Sequence, residues 1–164
     1  MSRPPRVSGF SYLGLHRYFL TICALNRRAV FADDVVARST IDQFLQTATK
    51  EAFVVLAYCL MPDHFHLLVE GTEDRSDLRR FVKMGKQRAG SKFSREHSAR
   101  LWQEGSFDRV LRREEDSYAV ARYIVENPVR AGLVNSPAHY PYLGSEVWTV
   151  EQLMEAAAAS VWRV

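Results

Sequence analysis

Two histidines separated by one residue, His64 and His66, are the side chains of this sequence best suited to bind a metal ion. If this segment is a strand, residues i and i+2 point to the same face, so the two imidazoles project together while Phe65 points away. Neighbouring neutral imidazoles can chelate a divalent cation. A pair of exposed or hydrogen-bonded histidines is the alternative, and the spacing alone favours that alternative.

A second candidate set lies on a predicted helix further along the chain. Tyr123 and Asn127 are four residues apart, so their side chains lie on one helical face, one turn from each other. The Asn127 amide oxygen could complete a three-ligand metal site, and Tyr123 would then be the covalent nucleophile of the cluster. A bound metal would polarise a phosphoryl oxygen and orient the phosphate for in-line attack. Position alone favours a plainer interpretation, with a core aromatic and a helix-terminal asparagine before Pro128.

Hydrophobic periodicity predicts the elements that must position these residues. It favours strands over residues 16–26, 53–60, 64–70 and 107–111. Three helices are expected, with N-caps at Asp33 or Asp34, at Ser76 or Asp77, and at Asp116 or Ser117. The sequence Met61-Pro62-Asp63 provides the turn of a hairpin between the second and third strands.

Two features of the sequence limit the predicted helices. Gly85 and Gly90 weaken the middle of the second helix. Pro128 disfavours helical geometry in the residue before it, so the third helix should stop near Asn127.

The order strand, helix, strand, strand, helix, strand, helix matches the split βαβ pattern. We therefore predict an α+β fold with a ferredoxin-like or RRM-like antiparallel four-stranded sheet and helices packed on one face. A basic N-terminal segment over residues 1–15, one domain over 16–134 and a tail over 135–164 with a short helix at 150–161 complete the expected organisation.

The composition excludes several classes of protein. Of the 164 residues, 47% are apolar and 25% charged, which is ordinary for a globular domain and argues against disorder. The longest apolar-rich stretches, 18–25 and 53–61, are too short and interrupted to span a membrane. The N-terminus lacks the apolar segment of a secretory signal, so a cytoplasmic protein is expected. Cys23 and Cys59 have no metal or redox spacing and are interpreted as buried thiols.

The net charge of +3 is too small to identify a nucleic-acid partner, but the distribution of charge is informative. The second helix carries a basic group that we interpret as DNA-binding: Arg79, Arg80, Lys83, Lys86, Arg88 and Lys92. Arg79, Lys83 and Lys86 follow i, i+4, i+7 spacing and would form one basic stripe able to neutralise phosphates. An ordinary solvated helix face is the alternative. Weaker candidates for the same role are Arg3, Arg6, Arg112 and Arg113, and the candidates for base stacking are Tyr12, Phe93 and Trp102.

Three segments resemble the REP-associated tyrosine transposases, a branch of the single-tyrosine HUH superfamily of IS200-like transposases. Residues 57–69 (AYCLMPDHFHLLV) resemble the HUH motif, and residues 123–134 (YIVENPVRAGLV) resemble the tyrosine helix. Residues 101–103 (LWQ), followed by Phe107, resemble the segment before the fourth strand. The family often has asparagine where this chain has Asp63, which could either cap the turn or accept a hydrogen bond from a ligand histidine. The tail at 140–145 is a loose match, so DNA choice could differ there.

This resemblance implies roles for the candidate residues. His64, His66 and Asn127 would be the metal ligands, Tyr123 the nucleophile, and Mg²⁺ or Mn²⁺ the ion. Enzymes of this family cut single-stranded DNA by transesterification, leaving a 5′-phosphotyrosine and a free 3′-hydroxyl, and can reseal the linkage to another strand. The expected partner is single-stranded or hairpin DNA. A monomer or homodimer, with the active site completed in one chain or by a partner, stays open.

Three functional hypotheses remain at this point. The first is a transposase-like nickase and strand-transferase acting on hairpin or repeat DNA. The second is a domesticated hairpin-DNA-binding protein of the same ancestry that no longer mobilises DNA. The third is a metal-dependent phosphoesterase that activates water, which predicts activity in a Tyr123→Phe variant.

Overall fold

The computed structural model describes residues 10–112 and 114–159. Its helices and strands, in chain order, are β1 (Arg17–Cys23), α1 (Asp34–Lys50), β2 (Phe53–Met61), β3 (His64–Gly71), α2 (Leu78–His97), β4 (Phe107–Leu111), α3 (Glu114–Arg130), β5 (Leu143–Gly144) and α4 (Val150–Ala159). Short 3₁₀ turns cover Leu25–Arg27, Val30–Ala32 and Pro137–His139.

The strands form one antiparallel sheet in the order β4-β1-β3-β2-β5. The first four strands have the ferredoxin-like order that the split βαβ pattern predicts, so the α+β fold class is confirmed. The hairpin of β2 and β3 is also confirmed, with Met61 opposite His64 across the turn. One strand was not predicted: the two-residue β5 pairs with Tyr58 and Cys59 of β2.

Helices cover both faces of the sheet, which corrects the expectation that they share one face. Alternate residues of β3 divide between two hydrophobic clusters: Phe65 packs with residues of α1 and α2, whereas Leu68 packs with residues of α3 and α4. A strand covered on both sides buries consecutive side chains, and residues 65–69 of β3 are all buried. His64 and His66 share the α3 side with Leu68 because strand residues alternate between the faces.

The first two helices begin where their capping residues predict. Asp33 accepts a hydrogen bond from the Val36 backbone N–H at 3.1 Å, and Asp77 accepts from the N–H groups of Arg79 and Arg80. The second helix continues through both of its glycines to His97. The strand predicted at 16–26 is shorter, since Leu25–Arg27 forms a 3₁₀ turn.

The predicted bounds of the third helix are wrong at both ends. It begins at Glu114, before either predicted cap, and it continues through Pro128 to Arg130. The chain leaves the helix at Gly132, whose φ of 74° lies in the left-handed region that glycine adopts without strain. The backbone N–H of Leu133 donates to the Pro128 carbonyl at 2.9 Å, which closes this end.

The tail packs against the rest of the chain. Leu143, Leu153 and Ala157 are buried in the cluster formed with β2 and α3, and the Tyr140 hydroxyl donates to the Leu60 carbonyl at 2.6 Å. The division at residues 15 and 134 remains a prediction. Across the described ranges, no helix combines the length and the apolar character needed to cross a membrane.

Candidate active site

His64 and His66 converge on the α3 side of the sheet. Their Nε2 atoms are 3.0 Å apart and their rings meet edge to face, with centroids 4.6 Å apart. His66 is buried and His64 is partly exposed at the start of β3. The strand geometry predicted for this pair is therefore present.

His66 is fixed by a neighbouring strand. In the β1–β3 register Thr21 lies opposite His66, and the Thr21 hydroxyl lies 2.9 Å from His66 Nδ1. Burial, together with the nearby charges of His64, Arg27 and Arg130, lowers the pKa of His66 to about 3. The imidazole is therefore neutral at neutral pH. If Nδ1–H donates to Thr21, the Nε2 lone pair is free to bind a metal.

His64 is fixed by the residue that precedes it. Asp63 Oδ1 lies 2.6 Å from His64 Nδ1, and burial lowers the pKa of His64 although this hydrogen bond opposes the effect. A neutral His64 that donates Nδ1–H to the carboxylate directs its Nε2 lone pair toward His66. Asp63 therefore lies in the turn, and its carboxylate contacts a candidate ligand.

Arg27 holds the other oxygen of Asp63. Its Nε donates to Asp63 Oδ2 at 2.9 Å, and its Nη1 donates to Cys23 Sγ at 3.1 Å. Burial would raise the pKa of the Asp63 carboxyl, but the hydrogen bonds from His64 and Arg27 hold it below its usual value. Asn26 and Arg27 both have φ of 55°, a left-handed conformation that is unfavourable for side chains with a Cβ. Nothing in the sequence predicted this contact.

Tyr123 lies against the histidine pair. Its ring contacts His66 with centroids 5.4 Å apart and Phe19 with centroids 5.9 Å apart, both edge to face. Phe19 stacks in turn on His66 at 5.5 Å. Tyr123 is 42% exposed, so its ring lies beside His66 and also reaches solvent.

Asn127 lies one turn further along α3 and is buried, with 7% of its surface exposed. Its Nδ2 atom is buried and has no hydrogen-bond partner among the residues that the structure describes. Because the two ends of an amide exchange by rotation about χ2, the carbonyl oxygen can take that position. Among the described residues no group of three or more His, Cys, Asp or Glu is arranged to hold a metal. A site built on the two histidines therefore needs a ligand of another kind, which an amide oxygen could supply.

Arg130 is a further residue of this cluster that the sequence interpretation missed. Its guanidinium carbon lies 4.4 Å from the centroid of the Tyr123 ring. A signal existed, because residues at i, i+4 and i+7 share one helical face. The predicted stop before Pro128 excluded Arg130 from the helix.

The basic stripe does not join this cluster. Residues of α2 pack with Phe44 and Phe65 on the opposite face of the sheet from the histidines. Five of the six candidate DNA-binding residues have partners within the protein: Arg79 lies over Tyr12, Arg80 pairs with Glu51, Lys86 donates to the carbonyls of Gln103 and Gly105, Arg88 donates to Thr47, and Lys92 pairs with Glu96. The sixth residue, Lys83, is exposed. A role of these six residues in DNA binding remains a prediction.

The remaining candidates are buried, exposed or undescribed, and Arg112 is one of the exposed residues. Tyr12, Phe93 and Trp102 are all buried, so none offers a free face for stacking a base. Cys59 is buried as expected, whereas Cys23 is partly exposed. Arg3, Arg6 and Arg113 lie outside the described residues.

A known family model matches the part of the chain that contains most of this cluster. The family model described as "Transposase IS200 like" matches residues 13–127, a span that includes the two histidines, Tyr123 and Asn127. The chain belongs to the IS200-like transposase family. The resemblance seen in the sequence is thereby confirmed. Arg130 lies just beyond the matched span.

Relatives of this IS200-like transposase family member include a Haemophilus influenzae protein named as a REP-associated tyrosine transposase. It is 24% identical over 136 residues, which cover 76% of this chain and 77% of that protein. A solved REP-associated tyrosine transposase bound to a REP hairpin matches with a TM-score of 0.70 at 19% identity, covering 87% of this chain and 82% of that one. A Deinococcus radiodurans protein described as a transposase matches with a TM-score of 0.53 at 24% identity, covering 74% and 96% of the two chains. Both structural matches show the fold.

Proposed function

We propose that this protein nicks single-stranded DNA at a hairpin or repeat and transfers the cut strand through a 5′-phosphotyrosine intermediate on Tyr123. The observation that carries this proposal is the contact of the Tyr123 ring with His66, whose Nε2 converges with that of His64. Family membership and the match to a relative bound to a REP hairpin support both the chemistry and the DNA class.

The residues present fit a divalent metal such as Mg²⁺ or Mn²⁺. The two Nε2 atoms converge to 3.0 Å from each other, close enough for one ion to be held by both imidazoles. Both imidazoles are neutral at neutral pH, and Asn127 has a buried amide without a partner for its Nδ2. Imidazole suits Mn²⁺ better than Mg²⁺. A bound ion would polarise a phosphoryl oxygen and orient the phosphate.

The covalent step exchanges one phosphodiester for another. The Tyr123 oxygen forms a bond to phosphorus while the bond from phosphorus to the 3′-oxygen of the upstream nucleotide breaks. The proton that leaves the phenol is balanced by the proton gained at the 3′-oxygen. Because the bond energy is kept in the tyrosyl ester, attack by a 3′-hydroxyl of another strand reseals the DNA without ATP.

The test uses single-stranded oligonucleotides that carry a hairpin with randomised flanks, incubated with Mn²⁺ and separated by denaturing electrophoresis. A 5′-phosphotyrosine retains the downstream fragment, so the protein adduct must carry a label placed at the 3′ end and not one placed at the 5′ end. Tyr123→Phe should abolish the adduct because it removes the attacking oxygen. Tyr118→Phe is the matched control, since Tyr118 is on the same helix and 36% exposed.

The same experiment separates the competing functions. Cleavage by both wild type and Tyr123→Phe would refute the tyrosine mechanism and favour a water-activating phosphoesterase. A retarded hairpin complex with no adduct under any divalent metal would refute nicking and favour a domesticated hairpin-binding protein.

A further inference from the structure

Arg130 makes two contacts with the candidate nucleophile. Its guanidinium lies over the Tyr123 ring, with the carbon 4.4 Å from the ring centroid, and its Nη2 donates to the Tyr123 backbone carbonyl at 3.1 Å. A planar guanidinium can stack on an aromatic face while its N–H groups donate at the edge. Arg130 is therefore bound to both the side chain and the backbone of the same residue.

The last turn of α3 places Arg130 there. Residues seven apart on a helix differ by only about 20° in direction, so Tyr123 and Arg130 lie on one face, two turns from each other. Helical structure must continue through Pro128 for this alignment, and it does. Proline has no N–H to donate to the carbonyl four residues earlier, so the helix has one hydrogen bond fewer in this turn.

The Tyr123 ring is covered by the sheet on one side, and Arg130 lies on its solvent side. Phe19 and His66 contact the ring from the sheet, and 42% of the side chain is exposed. Arg130 is on the solvent side, with 48% of its own side chain exposed and Glu126 at 3.9 Å. The ring is thus enclosed between the sheet and a cation, although the residue as a whole is a surface residue.

We propose that Arg130 is the positioning residue of the nucleophile, holding the Tyr123 ring against His66 before DNA binds. This role rests on the proposed function, because it gives the ring a reason to be held. Catalysis by positioning requires the attacking atom to stay in reach of phosphorus, and small misplacements are costly. A residue with an exposed ring needs a restraint of this kind.

The test combines a structural and a kinetic measurement on three variants. Arg130→Gln removes the cation and the stacking plane, Arg130→Lys keeps the charge only, and Arg122→Gln is the matched control. Arg122 lies on the same helix, has the same 48% exposure and also pairs with Glu126. The protein is labelled with 3-fluorotyrosine, and Tyr123→Phe identifies the ¹⁹F signal of Tyr123 among the seven tyrosines.

The positioning role predicts a distinct pattern in the two measurements. Arg130→Gln should shift and broaden the Tyr123 ¹⁹F signal and slow single-turnover adduct formation by about 10- to 100-fold, with oligonucleotide affinity unchanged. Arg130→Lys should recover only part of the rate, because a point charge cannot stack and donate together. Arg122→Gln should match wild type in both measurements.

Other results would overturn the inference without touching the proposed function. An unchanged Tyr123 signal in Arg130→Gln would show that the arginine does not hold the ring. Full rescue by lysine with weakened DNA binding in Arg130→Gln would show a phosphate contact instead.

If wild type formed no adduct, the proposed function would fail, and the ¹⁹F signal would still decide whether Arg130 positions the ring.

Discussion

Asp63 shows how a single residue of a turn can serve the candidate site. Its carboxylate accepts from His64 on one oxygen and from Arg27 on the other. The turn at this position was predictable from Pro62-Asp63, and the contact with His64 was one of two interpretations. The clamp by Arg27 was not predictable, because it depends on a left-handed turn at residues 26 and 27 that no sequence pattern indicates.

Removing the Asp63 carboxylate should weaken metal binding. Partners that orient ligand histidines are typically worth about 10- to 100-fold in metal affinity, so Asp63→Ala should lower Mn²⁺ affinity by that factor. Asp63→Asn should lose much less, since an amide oxygen still accepts from His64 Nδ1. Isothermal titration with Mn²⁺ measures both, and Asp74→Ala in an exposed loop is the control. Equal affinities for wild type and Asp63→Ala would contradict the role.

Replacement of Asn127 by leucine should have opposite effects on stability and on metal binding. A buried donor without a partner costs about 1–3 kcal/mol, so Asn127→Leu should raise the free energy of unfolding by about 1 kcal/mol. The same change removes the third candidate ligand and should lower Mn²⁺ affinity at least tenfold. Urea unfolding in EDTA and Mn²⁺ titration give the two values, with the exposed Asn135→Leu as the control. A less stable variant with unchanged affinity would show that the amide is structural.

At the scale of single elements, capping residues and alternation predicted most starts and strands, while helix ends were less predictable. The strand at Phe107–Leu111 and the start of α1 agree with the sequence. The rule that a residue before proline avoids helical geometry failed at Pro128, since α3 continues through it to Arg130. Because the predicted end of the third helix was three residues too early, the sequence interpretation left Arg130 out of the helix and out of the candidate site.

The close packing of α2 against Phe44 of α1 requires glycine at position 85. A Cβ at this position would lie 2.6 Å from Cε1 of Phe44, a fully buried ring held edge to face by Phe65 and Phe81. Gly85→Ala should therefore destabilise the fold by about 1–3 kcal/mol, although alanine is the better helix former by about 1 kcal/mol. Urea unfolding should show this loss and should leave the exposed control Gln87→Ala near wild type. A stabilised Gly85→Ala would mean that helix propensity dominates.

At the scale of the whole molecule, the sequence predicted the sheet but not its second helical layer. The sequence signal for a second layer was present in β2, whose residues FVVLAYCLM are all apolar. In the structure, all of them except Val54 and Tyr58 are buried. A nearly continuous apolar run is typical of a strand covered on both faces. Periodicity does not say which helix covers which face, because that depends on how the chain crosses the sheet. The second layer matters for function, since α3 carries Tyr123 to the same face as the histidines.

The second layer should couple the tail to the nucleophile more strongly than to the metal site. Leu153 of α4 is 3% exposed and packs in the cluster that holds Ile124 and Val125 of α3. Leu153→Ala should lower the free energy of unfolding by about 2–4 kcal/mol, whereas the exposed Glu155→Ala should stay within about 0.5 kcal/mol of wild type. Two of the three candidate ligands, His64 and His66, are held by β1 and the β2–β3 turn, whereas Tyr123 and Asn127 are both carried by α3. Adduct formation should therefore slow by a larger factor than the Mn²⁺ affinity of the folded variant falls. Parallel losses of metal affinity and adduct formation would instead indicate that the two layers respond as one unit.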